Sequence, residues 1–296
     1  MSKWTTADIP SQHGRTIVVT GANSGLGRVV ATELSRAGAS VVLACRDVGK
    51  GEKAAATMPG DVEVRALDLA DLSSVRSFAA GIDTRVDVLI NNAGLMALPE
   101  KRTADGFEMQ FGVNHLGHFA LTGLLRDRIT DRVVTLSSFM HRIGAIRLND
   151  PNFTRGYRRW AAYGQSKLAN LMFVFELQRR LSETGSAVRA MAAHPGYAAT
   201  NLQGRTESIL DVPTTLANRF VAQSAEKGAL PTLYAATVPE LAGGAYVGPG
   251  QPGELWGHPR LVGCSAAARD SRTQRELWNL SAELTGVDYG FDGLAR

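Results

Sequence analysis

The stretch that most constrains what this chain can fold into is Thr16-Ile17-Val18-Val19-Thr20-Gly21-Ala22-Asn23-Ser24-Gly25-Leu26-Gly27. Strand-favouring residues run without a break into a turn with glycines at 21, 25 and 27. The residues that follow, to Gly38, space Leu26, Val29, Val30 and Leu34 along one helical face. Strand, glycine turn and helix together form a unit that receives a pyrophosphate. Glycines let the backbone turn tightly and approach the anion, and the helix N-terminus offers free N–H groups and a partial positive charge. Glycines also punctuate ordinary strand-to-helix turns, so this reading needs support from the rest of the chain.

That support begins with the order of elements. Further short apolar strands are expected at 40–45, 62–67, 86–90, 132–136, 186–193 and 243–248. Helical spacing fills 47–58, 71–80, 103–128, 160–181, 222–236 and 266–284, with Asp71 a good N-cap. Strands alternating with helices imply a parallel sheet covered on both faces. The fold class is therefore α/β: one doubly wound, Rossmann-type domain over residues 1–296 with a mainly parallel seven-stranded sheet. No Pro-, Gly- or Ser-rich linker divides it. An irregular stretch over 139–159 is long enough to suggest a functional loop. A mixed segment at about 197–221 reads as a substrate lid, a C-terminal extension of the domain. Its Leu202, Ile209, Leu210, Val212, Leu216 and Phe220, with Phe139, Met140 and Ile143, either line a lipophilic pocket or pack on the core. Ligands of such sheets sit beyond the strands' carboxyl ends, which selects Gly21, Arg46, Asp68, Asn91, Ser138 and His194.

Composition narrows the partners. A formal charge of +4 is modest, and the Arg-rich run from 126 to 159 is diluted by Asp127, Asp131 and Asp150, which argues against nucleic acid. The two cysteines, Cys45 and Cys264, have no metal-ligand spacing and read as reduced thiols. Met1–Pro10 lacks an apolar run, and no stretch is long enough for a membrane span. A cytoplasmic protein is expected.

Chemistry is carried by a few residues at strand ends and on one helix. The second strand ends Ala44-Cys45-Arg46, with no carboxylate where a ribose would be bound. An arginine there suits a 2′-phosphate, hence NADP(H) over NAD(H). The alternative has Arg46 facing water and Asp47 serving the ribose. Asp68, followed by Leu69, either meets an adenine amino group or simply stays solvated. Tyr163 and Lys167 lie one helical turn apart, so the ammonium could lower the phenol's pKa from near 10 and fit it for acid–base work. A surface Tyr–Lys pair is the plainer alternative. Ser138, on the ligand side of its strand, could donate a hydrogen bond to a substrate oxygen; Ser137 would point the other way. Asn114 is a polar residue in the apolar run of Phe111, Val113 and Leu116. His115 and His118, three apart with no matching carboxylate, suit packing or subunit contact better than a metal.

Taken in order, Thr20-Gly21-Ala22-Asn23-Ser24-Gly25-Leu26-Gly27, Asn91-Asn92-Ala93-Gly94, Asn114, Ser138, Tyr163-x-x-x-Lys167 and Pro195-Gly196 resemble the short-chain dehydrogenase/reductase family over nearly the whole chain. Tyr163 to Asn170 and His194 to Leu202 look most like its retinol-dehydrogenase-like branch, and the glycine loop is also similar to that of light-dependent protochlorophyllide reductases. The resemblance implies a catalytic tetrad of Asn114, Ser138, Tyr163 and Lys167. It implies a cofactor site of Gly21, Asn23, Ser24, Gly25, Leu26, Gly27, Asp68 at the adenine, Leu69, Asn91, Ala93, Gly94, Tyr163, Lys167, Pro195, Gly196, and Thr200 near the nicotinamide carboxamide. The implied activity is NADP(H)-dependent interconversion of a small-molecule carbonyl and alcohol, with Tyr163 as general acid/base, in a homodimer or homotetramer. A reductase of carbon–carbon double bonds and a nucleotide-sensing scaffold are the alternatives. The chain departs from the family pattern in the extra residues between Ser138 and Tyr163, which leaves Ser137 a candidate for the serine role.

Overall fold

β1 (Thr16–Thr20) is buried at every position but its first, and its side chains alternate between two cores. Val18 faces one, Ile17 and Val19 the other, as the period of two in an extended strand requires. β1 pairs in parallel with β2 (Ser40–Cys45) on one side and β4 (Val86–Asn91) on the other. The computed structural model describes residues 3–197 and 223–291. Within them one sheet runs in the order β3-β2-β1-β4-β5-β6-β7-β8, adding β3 (Val62–Ala66), β5 (Ile129–Leu136), β6 (Arg189–Ala193), β7 (Tyr246–Pro249) and β8 (Pro259–Leu261). Strand order reverses between β1 and β4, the place where a doubly wound sheet opens a crevice at its carboxyl edge.

The sheet has eight strands among the described residues, one more than expected. β8 is three residues long, antiparallel to β7, and exposed at Arg260 and Leu261. Its sequence carries no alternation; only the free edge of β7 makes it a strand. The lid expected at about 197–221 lies, beyond Tyr197, outside the described residues, Thr200 with it.

α1 (Gly25–Arg36) and α7 (Ala225–Thr237) cover one face, while α3 (Leu72–Gly81), α5 (Gly117–Leu125), α6 (Arg159–Glu183) and α8 (Ser271–Thr285) cover the other. Asp71 caps α3 by accepting from the amides of Ser73 and Ser74; Asp47 does the same for α2 (Val48–Ala55) with Lys50. Each such cap stabilises a helix by about 1 kcal/mol. The helix expected from 103 starts later, as α4 (Met109–Phe111), because the Glu108 carboxylate accepts from the amides of Gln110 and Phe111 and fixes the start there. A π turn, Gly112–Leu116, then joins α4 to α5.

The 139–159 stretch is a fixed wall. Buried Gln165 accepts from the Arg147 amide at 3.0 Å and donates to the Pro151 carbonyl at 2.8 Å. Phe153 is fully buried beneath it. The Tyr157 hydroxyl donates to the Leu98 carbonyl and accepts from Gln110 Nε2, tying the wall to the start of α4.

Candidate active site

At the end of β1 the backbone enters left-handed conformations at Gly21 (φ +67°) and Gly25 (φ +54°), which only glycine adopts without strain. Gly27 is needed for space: a Cβ there would lie 2.6 Å from the Gly21 carbonyl oxygen and closer still to Asn92 Nδ2. Thr20 fixes the facing loop. Its hydroxyl accepts from the amides of Asn92 and Ala93, both at 2.9 Å, while Asn92 Nδ2 donates to its carbonyl at 2.8 Å. Ser24 precedes α1 without capping it through its side chain, so the first amides of α1 are left open to the cleft. A bare cradle of backbone N–H groups at a helix N-terminus fits a pyrophosphate.

The cradle forms the floor of a cleft of about 460 Å³, within the range of small-molecule sites. Its far end is walled by Arg46, Asp47, Lys50, Asp68 and Leu69; Ala93, Gly94 and Leu95 line its middle; Leu136, Tyr163, Lys167 and Pro195 close the near end. Asn23, Ser24 and Leu26 lie along the floor with the glycines. Arg46 is exposed. Asp47 is committed elsewhere: it caps α2 and pairs with Lys50 Nζ at 2.7 Å, contacts that hold its carboxyl below the usual range. Asp68 accepts from the Ala70 amide at 2.9 Å and stays on the cleft wall. Two residues assigned to the cofactor sit off the wall. Asn91 is fully buried, donating to the hydroxyls of Thr122 and Thr135, and its neighbour Asn92 takes the wall position. Gly196 lies behind Pro195 with φ +67°, packed on the Leu255 carbonyl.

The tetrad residues come from three elements: Asn114 from the π turn, Ser138 from the end of β5, and Tyr163 and Lys167 from α6. Gly144 packs so closely on Gly164 that a Cβ would collide with the Gly164 carbonyl, and this seats the turn after Ser138 on the first turns of α6. Tyr163 is buried there, and burial raises the pKa of its phenol, with a hydrogen bond from Ser138 opposing the shift. Lys167 sits one turn on, its ammonium donating to the Leu136 carbonyl at 3.2 Å and lying 5.8 Å from the Tyr163 ring centre. Burial lowers the Lys167 pKa to about 8. In the protein alone, then, burial outweighs the Ser138 hydrogen bond, and the phenol is held protonated at neutral pH. Ser137, not Ser138, is among the residues that line the cleft, but its hydroxyl is engaged, donating to the Lys167 carbonyl at 2.8 Å.

Asn114 lies in the π turn, and its side chain knots three segments together. It accepts from the Leu95 amide at 2.7 Å and donates to the Leu95 carbonyl and to Ser166 Oγ, both at 2.9 Å. A Cβ on Gly94 would meet Asn114 Oδ1 and Lys167 Nζ at 3.4 Å each, so the missing side chain keeps a gap between them. His118 bridges this knot to the cradle, with Nδ1 3.0 Å from the Asn114 carbonyl and Nε2 2.9 Å from Thr20 Oγ1. Burial drops its pKa to about 4, so it is a neutral imidazole holding two loops. His115 stacks on Phe111 and bonds Ser281, inside the core. The parts played by the Thr20 hydroxyl and by His118 are not marked in sequence, because they depend on partners 72 to 98 residues away.

A sequence model of the short chain dehydrogenase family matches residues 15–209. Human retinol dehydrogenase 13 is 45% identical over 293 residues, spanning 93% of this chain and 86% of that protein. Mouse retinol dehydrogenase 12 is 42% identical over 290 residues, spanning 93% and 88%. Among solved structures, that of an uncharacterized protein from Mycobacterium paratuberculosis superposes with a TM-score of 0.86 at 52% identity, covering 97% of this chain and 99% of that one. A Beutenbergia cavernae protein described as an NAD(P)-dependent gluconate 5-dehydrogenase, with NADP bound at low occupancy, superposes with a TM-score of 0.57 at 28% identity over 77% and 91% of the two chains.

Proposed function

The chain belongs to the short-chain dehydrogenase/reductase family, in its retinol-dehydrogenase-like branch, and interconverts a carbonyl and an alcohol; from that premise we propose that it works with NADP(H) on a lipophilic substrate, Tyr163 being its acid–base residue. The observation that carries this reading is the meeting of Ser138 and Lys167 around a buried, protonated Tyr163 at the near end of a phosphate cradle. The glycine loop would hold the pyrophosphate, Asp68 the adenine, Arg46 the 2′-phosphate and Lys167 the nicotinamide ribose. When bound, the nicotinamide gives or takes the hydride at the reacting carbon.

The chain's own residues handle the oxygen. The Ser138 hydroxyl donates to it where negative charge develops. Tyr163 delivers the proton, and a phenol kept protonated by burial suits the reductive direction. Lys167 remains an ammonium below pH 8 and stabilises the phenolate left behind. Asn114 keeps the Gly94–Leu95 loop and α6 at a fixed spacing, so that the gap beside Lys167 persists.

Around the near end, Phe139 and Trp160 are exposed, the Trp160 ring 6.4 Å from that of Tyr163. Exposed aromatic side chains beside a reacting centre favour an apolar substrate. Both cysteines are unpaired, which supports a reducing, cytoplasmic setting, and a homodimer or homotetramer completes the reading. No helix among the described residues is long and apolar enough to cross a membrane. The test is Tyr163→Phe, assayed with NADPH and a panel of lipophilic aldehydes and ketones. Cofactor binding is retained and turnover falls by at least about a thousandfold; near-parental turnover would refute the assignment.

A further inference from the structure

Behind the near end of the cleft, the ends of β5, β6 and β7 carry a group of side chains that the reaction above does not use. Glu254 stands at its centre, with its backbone at φ +57°, in the left-handed region that a glutamate rarely occupies. Such a residue persists only where its surroundings over-determine it. Its carboxylate has two partners from different loops. Arg142 Nη2 donates to Oε1 at 3.0 Å, and His194 Nε2 lies 3.2 Å from Oε2, short of hydrogen-bond alignment. His194 foremost, then Arg142, hold the carboxyl below its usual pKa, so Glu254 is ionised at neutral pH.

Both partners lead directly to the reacting centre. Arg142 belongs to the short 3-10 turn Phe139–Ile143 that Ser138 caps through its hydroxyl. In the same turn His141 Nδ1 lies 2.7 Å from the Ser138 carbonyl, and His141 Nε2 accepts from the Ser265 amide. Arg142 donates in addition to the Gly263 carbonyl at 3.2 Å. On the other side, His194 Nδ1 accepts from the Gly196 amide at 3.3 Å, which places the proton on Nε2, facing Glu254. Gly196 follows Pro195, part of the cleft wall. A Cβ on Gly248 would collide with the His194 ring, so the imidazole has no room to turn away.

We infer that Glu254 is a positioning residue: by holding Arg142 and His194 at once, its carboxylate sets the Ser138 turn and the Pro195–Gly196 turn at the spacing that hydride transfer requires. The inference rests on the functional reading above, since it assigns Glu254 a role in that reaction. It takes nothing from the cofactor's far end, which is walled by Arg46 and Asp68. Loss of the carboxylate therefore acts mainly on the chemical step and touches dinucleotide affinity only slightly, through Pro195 on the cleft wall. Misplacement by about 1 Å is enough to cost two orders of magnitude in rate.

The left-handed backbone supplies an unusual control. Glu254→Gly removes the carboxylate while suiting φ, so its unfolding temperature equals or exceeds that of the parent. With that fold intact, kcat for carbonyl reduction falls at least about tenfold. NADPH affinity, titrated by cofactor fluorescence, stays within about twofold. The primary isotope effect with 4-deuterated NADPH rises as hydride transfer becomes slower than product release. Glu254→Gln, which still accepts from Arg142, recovers part of kcat. Independently of turnover, amide exchange in peptides covering 138–144 and 193–197 speeds up in Glu254→Gly and not in an exposed control, Glu52→Gln. A glycine variant with parental kcat, isotope effect and exchange overturns the inference; so does a loss of activity that merely follows a fall in unfolding temperature. If the parent oxidises NADPH with no carbonyl offered, the functional reading fails by itself, and the exchange experiment still decides whether Glu254 sets the two turns.

Discussion

Replacing Lys167 by Met should make the cofactor-free protein more stable while abolishing turnover. The ammonium is buried, and burial carries its pKa from 10.5 to about 8. A shift of that size means that holding the charge inside the folded protein at pH 7 costs about 3 kcal/mol. The variant forfeits one hydrogen bond, to the Leu136 carbonyl, which contributes about 1 kcal/mol. That carbonyl is not orphaned, because Asn170 Nδ2 also donates to it at 2.9 Å. Methionine matches the lysine stem in shape and flexibility and leaves little cavity. The net gain is about 2 kcal/mol, or roughly 4 °C in Tm for a chain of this length. Its pH dependence is specific. Below about pH 8 the lysine is protonated in both states and the parent carries the full burden. Between about 8 and 10.5 the unfolded chain holds a proton that the folded protein has released, so the parent gains stability as pH rises. The variant's advantage at pH 7 therefore shrinks by about 2 kcal/mol by pH 9.5. Urea unfolding of the two proteins at both pH values, without cofactor, measures this directly. A variant less stable than the parent at pH 7, or a gap that does not change with pH, would refute the assignment of a buried, strained ammonium at this position.

Two further substitutions probe the cofactor end of the cleft. Arg46→Ala weakens NADPH binding by about 10- to 100-fold, the worth of a charge-assisted pair with phosphate, and leaves NADH binding unchanged; parallel fluorescence titrations with the two cofactors check it. Gly27→Ala drives a methyl group against the Gly21 carbonyl and the Asn92 side chain, lowering stability by about 1–3 kcal/mol in chemical denaturation and weakening both cofactors alike.

What the sequence disclosed and what it hid divide along a physical line. The β1–loop–α1 unit was legible because its signals are local: an apolar strand, glycines at positive φ, and a helix with one buried face. The cap at Asp71 was legible for the same reason, since a capping carboxylate bonds amides two or three residues on. Tyr163 and Lys167 share a helix, so their spacing alone places them together. The start of α4 at Met109 was hidden because Glu108 resembles any helical glutamate until its carboxylate turns back onto the amides that follow. β8 was hidden because three residues become a strand only when a neighbour's edge is offered. The π turn at Asn114 owes its place to bonds with Leu95 and Ser166, which no window of sequence contains. Glu254 is the extreme case, its meaning fixed by Arg142, 112 residues earlier, and by His194.

The same division bears on the tyrosine's resting state. Spacing on a helix brings a phenol and an ammonium within reach, and in water that proximity would draw the phenol's pKa down. Here the wall formed by residues 139–159 packs onto the first turns of α6 through Gly144 and Gly164 and withdraws the pair from solvent. Burial disfavours both charged forms, so it moves the two pKa values apart: the phenol upward, the ammonium from 10.5 down to about 8. The phenol is thereby kept as the proton donor until a substrate oxygen draws on it. The extra residues between Ser138 and Tyr163, which read in the sequence as a departure from the family pattern, are thus part of what tunes the acid. That link is carried by a backbone contact between two glycines, the kind of signal a sequence contains but does not mark.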